Sequence, residues 1–243
     1  MRVTGGKSIY GASVGILMLD ARFPRIPGDM GNATTWPFPV HYKIVRSATP
    51  DRVVLKGAEG LLDVFIAAAR ELVADGVDGV TTNCGFLSLF QEELALAVGV
   101  PVATSSLMQV DLVNRLLPKG KRAGILTISA STLTPLHLEK AGVPLGTPVG
   151  STEGGREFTR AILGDELELD IDAARQDNVD AALALLRDNP DLGAFVLECT
   201  NMVPYAADIR AATSLPVFTI ENFITWFHGA LQPRRYDGRA DKW

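Results

Sequence analysis

Several kinds of residue and segment are scarce in this sequence of 243 residues, and each scarcity excludes a class of protein. A net charge of −5 leaves no basic surplus for binding nucleic acid. No apolar run reaches the roughly 18 residues that span a bilayer, so we expect no membrane partner. The three histidines show no metal-ligand spacing, and neither the dinucleotide-binding nor the P-loop glycine pattern occurs. We therefore predict neither a metal nor a cofactor.

Cysteine is the scarcest reactive residue, with only Cys84 and Cys199. Nothing else in the sequence points to secretion, so we predict a cytoplasmic chain with reduced thiols. The composition, 47% hydrophobic and 21% charged, is typical of a globular protein with an ample core.

Both cysteines stand in the same local pattern, after a short apolar run and before a helical pattern. Cys84 lies 17 residues before Pro101, and Cys199 lies 17 residues before Pro216. The tripeptide Gly-Ile-Leu also occurs once in each half, inside a predicted strand. These correspondences indicate an internal duplication that brings two thiols to one cleft.

Strands and helices alternate along both halves, which predicts an α/β fold with parallel sheets. We expect two pseudo-symmetric, flavodoxin-like lobes with the active site in the cleft between them, because ligands bind beyond the carboxyl ends of parallel strands. Residues 21–39 hold four prolines and read as a long loop, which is typical of a lid or a binding loop.

Two thiols facing one substrate suit proton transfer. Cys84 precedes a helix predicted over residues 85–98, and the positive end of a helix lowers the pKa of a thiol. One sulfur can then remove a proton from carbon on one face, while the other returns a proton on the opposite face. A cysteine at a strand end is more often a plain core residue, and a disulfide would need Cα atoms within about 7 Å. The repeated position favours the catalytic interpretation.

Two motifs carry a family resemblance. Thr82-Asn83-Cys84-Gly85 and the stretch from Glu198 to Pro204 resemble the cysteine motifs of the aspartate/glutamate/hydantoin racemase superfamily. Ser129-Ala130-Ser131-Thr132 looks like the substrate-binding turn of the second lobe in that superfamily. The resemblance covers nearly the whole chain.

The resemblance implies a cofactor-independent racemase or epimerase that inverts the carbon next to a carboxylate or carbonyl of a small acid. Cys84 and Cys199 would be its two bases. It also implies frequent homodimers and a chain end that returns to the first lobe, giving residues 1–105 plus 217–243 as one lobe and 106–216 as the other. The predicted substrate-binding residues are Asp20, Thr82, Asn83, Gly85, Ser129, Thr132, Thr200 and Asn201.

Departures from the glutamate racemase pattern leave other activities open. Asn201 stands where glutamate racemases carry a histidine, and Gly85 leaves room beside the first sulfur. A maleate-type cis–trans isomerase and a decarboxylase of the same superfamily are alternatives. A third alternative is a non-catalytic protein that binds a small acid in the same cleft.

Four charged or polar features are expected to lie outside the chemistry. Glu198 could tune the neighbouring thiol, but it is expected to point away from the site, because alternate residues of a strand face opposite sides. Arg22 and Arg25 of the long loop could meet a substrate carboxylate, but they are expected to be solvated charges. The three histidines are expected to be structural or surface residues.

Overall fold

The chain forms two parallel sheets with the same strand order, as seen in a computed structural model that describes residues 2–234. The first sheet contains β1 (Val14–Leu19), β2 (Val40–Val45), β3 (Gly79–Thr82) and β4 (Val102–Ala103), in the order β2-β1-β3-β4. The second contains β5 (Arg122–Thr127), β6 (Val149–Ser151), β7 (Leu192–Leu197) and β8 (Val217–Phe218), in the order β6-β5-β7-β8. The predicted two-lobe α/β fold is confirmed, and each cysteine follows the third strand of its sheet.

Helices cover the sheets and connect their strands. They are α1 (Leu62–Asp75), α2 (Gln91–Val98), α3 (Val110–Leu116), α4 (Pro135–Lys140), α5 (Phe158–Leu163), α6 (Ile171–Asp188), α7 (Ala206–Thr213) and α8 (Ile220–Leu231). No helix among residues 2–234 is both long and apolar enough to cross a membrane.

The central strands are the most buried part of each lobe. Every residue of β1 and of β7 is buried, and both strands are rich in valine, leucine and other apolar residues. Parallel strands need cover on both faces, because crossover helices pack on each side of the sheet. The continuous apolar runs that predicted these strands thus reflect burial on two faces.

The end of the described chain returns to the first lobe through α8. Ile220, Ile224 and Phe227 of this helix are buried in the same apolar cluster as Val14 and Ile16 of β1. The predicted boundary at residues 216/217 falls just before β8, yet β8 pairs with β7 in the second sheet. The return therefore begins after residue 218, two residues later than expected.

The structure corrects one predicted helix and agrees with one predicted loop. The helix expected over residues 85–98 begins as a 3₁₀ helix, Gly85–Phe90, and becomes α-helical only from Gln91. The segment between β1 and β2 contains a single 3₁₀ turn, Ala33–Thr35, capped by the side chain of Asn32. It is thus the long loop that its prolines predict, and we call residues 20–39 the crossing loop.

Candidate active site

The two cysteines occupy equivalent positions in the two lobes. Cys84 is the N-cap of the 3₁₀ helix Gly85–Phe90, and Cys199 is the N-cap of a second 3₁₀ helix, Thr200–Tyr205. In each case the cysteine carbonyl accepts a hydrogen bond of 3.1 Å from the amide three residues later. Both sulfurs are free thiols, so the disulfide alternative does not apply.

A narrow cavity of about 20 Å³ lies between the lobes and brings both thiols together, and the space around it amounts to about 350 Å³ when the open solvent at its mouth is included. Six of the residues predicted for the site line it, namely Asn83, Cys84, Gly85, Cys199, Thr200 and Asn201. The rest of the wall is mostly apolar and comes from both lobes: Leu19, Phe23, Pro50, Val54, Phe86, Ile128, Ile162 and Leu163. The cavity is therefore suited to a small molecule with apolar parts.

Two predicted residues of the first lobe do not line this cavity. The carboxylate of Asp20 accepts a hydrogen bond of 2.8 Å from Arg46, near the surface. The hydroxyl of Thr82 donates to the carbonyl oxygen of Thr104 at 2.7 Å, which fixes β3 against the segment after β4. Asp20 follows β1 and was expected to face the cleft, but its partner holds it at the rim.

The Ser/Thr-rich turn of the second lobe also lies outside the cavity wall. Ser129 donates to Glu153 at 2.7 Å, and Thr132 donates to Ser129 at 2.8 Å. The turn precedes α4, which begins only at Pro135 after its N-cap Thr134. The Ser129 hydroxyl, predicted to bind the substrate, is therefore engaged by a carboxylate of the protein, and the Thr132 hydroxyl is engaged by Ser129.

The ionisation of both thiols differs from the sequence-based expectation. Burial, and after it the negative charge of Glu198, raises the pKa of Cys84 and of Cys199 well above the ordinary value. Backbone N–H groups of Phe86 and Leu87 act in the opposite direction at Cys84 but do not overcome burial. Both thiols are therefore protonated, and the expectation of a lowered pKa is wrong because burial outweighs the effect of the helix end.

Glu198 is the functional residue that the sequence reading misplaced. It lines the cavity, its side chain is buried, and its Oε2 accepts a hydrogen bond of 2.6 Å from Thr127. Its Oε1 has no hydrogen-bond partner in the described part of the chain. Burial raises the pKa of Glu198 to about 7, although hydrogen bonds from Thr127 and the Ile128 amide act to lower it. The alternation argument failed because β7 ends at Leu197, so Glu198 no longer follows the strand pleat.

The lobes meet directly beside the thiols. A side chain at Gly85 would place a Cβ only 2.5 Å from the carbonyl oxygen of Glu198 and closer still to its Oε1. The hydroxyl of Thr200 donates to the carbonyl of Asn83 at 2.6 Å, across the cleft. A residue without a side chain is thus required on one lobe, where a carboxylate projects from the other.

The crossing loop is rooted in the first lobe and bonded to the second. Asp165, which follows α5, accepts backbone hydrogen bonds from Arg22 at 2.5 Å and from Phe23 at 3.2 Å. Asn201 donates to the buried carboxylate of Asp29. The loop therefore closes one side of the cavity.

Arg25 of this loop is not a solvated charge, whereas the Arg22 side chain is 72% exposed and pairs with Asp165 at 3.3 Å. The Arg25 side chain is only 14% exposed, bonds Asp29 at 2.9 Å, and stacks its guanidinium 4.5 Å from the centre of the Phe23 ring. Its Nη2 is buried with no partner among residues 2–234, and its charge acts to lower the pKa of Cys84. Arg25 thus places positive charge near the first thiol.

No protein-family profile matches the chain. The chain is 28% identical over 218 residues to a dimethylsulfoniopropionate lyase from Durusdinium sp. clade D, covering 87% of this chain and 72% of the lyase. A dimethylsulfoniopropionate lyase of Emiliania huxleyi is 28% identical over 225 residues, 85% of this chain and 63% of the lyase. The chain therefore spans less than two thirds of the length of that second relative.

Solved structures show the same fold at low identity. An unliganded arylmalonate decarboxylase superposes with a TM-score of 0.54 and 16% identity, covering 95% of this chain and 96% of the decarboxylase. A glutamate racemase from Bacillus anthracis gives a TM-score of 0.59 and 15% identity, with 92% and 85% coverage.

Proposed function

From the premise that this chain has the two-lobe fold of the aspartate/glutamate racemase superfamily, we propose that it is a cofactor-independent enzyme whose cysteine removes a proton next to a carboxylate. We further propose a β-elimination, with dimethylsulfoniopropionate or a close analogue as substrate. The observation that carries the proposal is a cavity lined by both thiols and by Glu198, whose Oε1 has no hydrogen-bond partner among residues 2–234.

The proposed elimination balances without an added reactant. A cysteine thiolate takes one proton from the carbon next to the carboxylate. The electron pair of that C–H bond forms a carbon–carbon double bond, and the C–S bond breaks with its pair going to sulfur. Neutral dimethyl sulfide and acrylate leave, and the thiol returns its proton to solvent.

The wall of the cavity fits such a substrate. Its aromatic and aliphatic side chains can pack against the two methyl groups and exclude water, which strengthens every charge interaction inside. The amide of Phe86, a residue of the cavity wall, acts on the Cys84 sulfur and is the proposed partner of the carboxylate and of the enolate that develops from it. Arg25 does not line the cavity, and its positive charge acts on Cys84 without contacting the ligand.

The lyase chemistry is preferred to racemisation because the sequence relatives with 28% identity over most of this chain are lyases. Racemisation is the second candidate, and the observation that favours it is the second thiol. Elimination needs one base, whereas inversion of a carbon needs a base and an acid on opposite faces. A small acid is the substrate in both cases, and the homodimer stays a proposal.

The experiment is to incubate the full chain with dimethylsulfoniopropionate and measure dimethyl sulfide in the headspace and acrylate by NMR. A double variant, Cys84→Ser with Cys199→Ser, serves as the blank. Parallel samples of D- and L-aspartate and glutamate in deuterated water report loss of the α-proton signal. Release of dimethyl sulfide by the wild type alone supports the lyase. Exchange with inversion and no dimethyl sulfide would replace it with a racemase, and no reaction at all would favour the binding-protein alternative.

A further inference from the structure

Glu198 differs from the other buried carboxylates of the second lobe and the loop in lacking a full set of partners. Asp177 accepts three backbone hydrogen bonds, from residues 156, 157 and 158. Asp29 is bonded by Arg25, Asn201 and the amide of Gly31. Glu198 has the Thr127 hydroxyl on its Oε2 and is influenced by the Ile128 amide, while its Oε1 has no hydrogen-bond partner in the described part of the chain.

No cation of residues 2–234 pairs with Glu198. Arg25, which places positive charge near the first thiol, forms its ion pair with Asp29 instead. A buried, unpaired charge costs several kcal/mol, and removing the charge by protonation would still leave a hydroxyl with no acceptor. A positively charged ligand would satisfy this oxygen in a way that the protein itself does not.

The rest of the cavity indicates which cation fits. A primary ammonium carries three N–H donors and needs about as many acceptors. The side-chain oxygens of the two lining asparagines already accept hydrogen bonds. The Oδ1 of Asn83 accepts from the Leu19 amide at 2.8 Å, and the Oδ1 of Asn201 accepts from the Cys199 thiol at 3.5 Å. The remaining wall is largely apolar and includes the rings of Phe23 and Phe86. A methylated cation without N–H groups therefore matches one anion in an apolar wall better than an ammonium does.

We propose that the Glu198 carboxylate is the counter-ion of the substrate's cationic group, so that the site selects acids bearing a methylated sulfonium or quaternary ammonium. This inference rests on the proposed function for the identity of the reacting acid. It makes Glu198 a specificity-determining residue, with the Thr127 hydroxyl fixing its orientation and its second oxygen packed against Gly85 of the cavity wall, where a glycine leaves space for it.

The arrangement also links binding to chemistry. The negative charge of Glu198 opposes ionisation of both thiols. A bound cation offsets that charge, so a thiol becomes easier to ionise only when the correct substrate is present. Neutral acids of the same shape would occupy the cavity without this activation.

The test compares three ligands on the wild type and on Glu198→Gln by calorimetry at a pH above the pKa of Glu198. Trimethylammoniopropionate carries a cation that is a poor leaving group, so its binding can be measured without turnover. Isocaproate has a neutral CH in place of the cationic centre. Dimethylsulfoniopropionate is used to measure turnover. We expect Glu198→Gln to weaken trimethylammoniopropionate by about tenfold or more and to change isocaproate by less than about twofold. Glu166→Gln, which removes one charge from an exposed side chain of the same lobe, is the matched control and should change neither.

Equal losses for both ligands, no loss for either, or no binding of trimethylammoniopropionate by the wild type would overturn the counter-ion. Should Glu198→Gln fail to fold, Glu198→Asp retains the charge and must retain the preference for the cation over isocaproate. Failure of this inference can be distinguished from failure of the proposed function. Selective cation binding without release of dimethyl sulfide leaves the counter-ion standing and removes the lyase, while release that Glu198→Gln leaves unchanged does the reverse.

Discussion

The two cysteine junctions share a backbone but differ in the residues on either side of the thiol. Both cysteines cap a 3₁₀ helix after the third strand of a sheet with the same order. Before the first thiol stands Asn83, whose side-chain oxygen is satisfied within its own lobe by the Leu19 amide. Before the second stands Glu198, whose Oε1 is left without a partner in the described chain. The duplicated backbone supplies two equivalent thiols, and the flanking residues make the cavity electrostatically one-sided.

The residues after the thiols are complementary rather than equivalent. Gly85 follows the first thiol and makes room for Glu198, while Thr200 follows the second and donates to the Asn83 carbonyl. A symmetric pair would suit a symmetric task, such as removing and returning a proton on opposite faces. An unequal pair suits a reaction in which one thiol removes a proton and the other side of the cavity recognises a charged group.

The largest expected effect separates these two tasks. Cys84→Ser and Cys199→Ser should each abolish racemisation of any substrate, because inversion needs both thiols. For elimination we expect one variant to lose about 10²- to 10⁴-fold in kcat and the other at least tenfold less, since only one sulfur removes the proton. Headspace dimethyl sulfide from purified variants of matched circular dichroism measures this. Equal losses in elimination would show that the junctions work as equivalents.

The next effect concerns the pH dependence of stability. The pKa of Glu198 is about 7 in the folded chain and 4.5 in its ordinary environment, so folding strengthens its hold on the proton. The associated stability is present below 4.5 and is lost as pH rises towards 7 and above, by about 3 kcal/mol. The thiols that face Glu198, Cys84 and Cys199, stay protonated throughout this range.

In Glu198→Gln we therefore expect that loss to disappear from urea unfolding curves measured at pH values on both sides of this range. Glu166→Gln, at the exposed position, should keep the wild-type curve. An unchanged pH dependence in Glu198→Gln would mean that Glu198 is not the buried acid described above.

Close approach of the lobes gives a third prediction. In Gly85→Ala the new methyl group would meet Glu198, so we expect a loss of about 1–3 kcal/mol in unfolding free energy and a weaker preference for cationic ligands. Gly229→Ala is the control, because a Cβ in that helix meets nothing within 4 Å and alanine favours helices. The measurement is thermal unfolding of the two variants side by side. The steric argument would be refuted if neither variant changed the stability of the fold.

The smallest expected effect tests the hydrogen bond between the junctions. Thr200→Val removes the donor to the Asn83 carbonyl and should cost about 1 kcal/mol, with some loss of turnover because Thr200 lines the cavity. Thr213→Val removes a similar bond inside one helix, to the Ile209 carbonyl, and should cost a similar free energy without affecting turnover. Equal turnover in both variants would argue that the contact between the lobes is only structural.

The fold and the thiols could be read from the sequence because they depend on repeated, local patterns. The apolar runs of β1 and β7 and the equal cysteine–proline spacing predicted the parallel sheets and the shared cleft. The orientation of the Glu198 side chain could not be predicted, because it depends on the residue at which the strand ends. An error of one residue in that end places the side chain on the opposite face of the sheet. Asp20 and Ser129 were misplaced because their partners, Arg46 and Glu153, lie 26 and 24 residues away and no local pattern reveals them.

The crossing loop makes ligand exchange a question of rates as well as of fit. Both ends of the loop belong to the first lobe, yet Asp165 and Asn201 of the second lobe hold its beginning and its middle. A ligand that enters past the loop must wait for these bonds to break together, so we expect the observed binding rate to level off at high ligand concentration. The same opening step would set an upper limit on the escape of products, which links turnover to two contacts that touch no reacting atom.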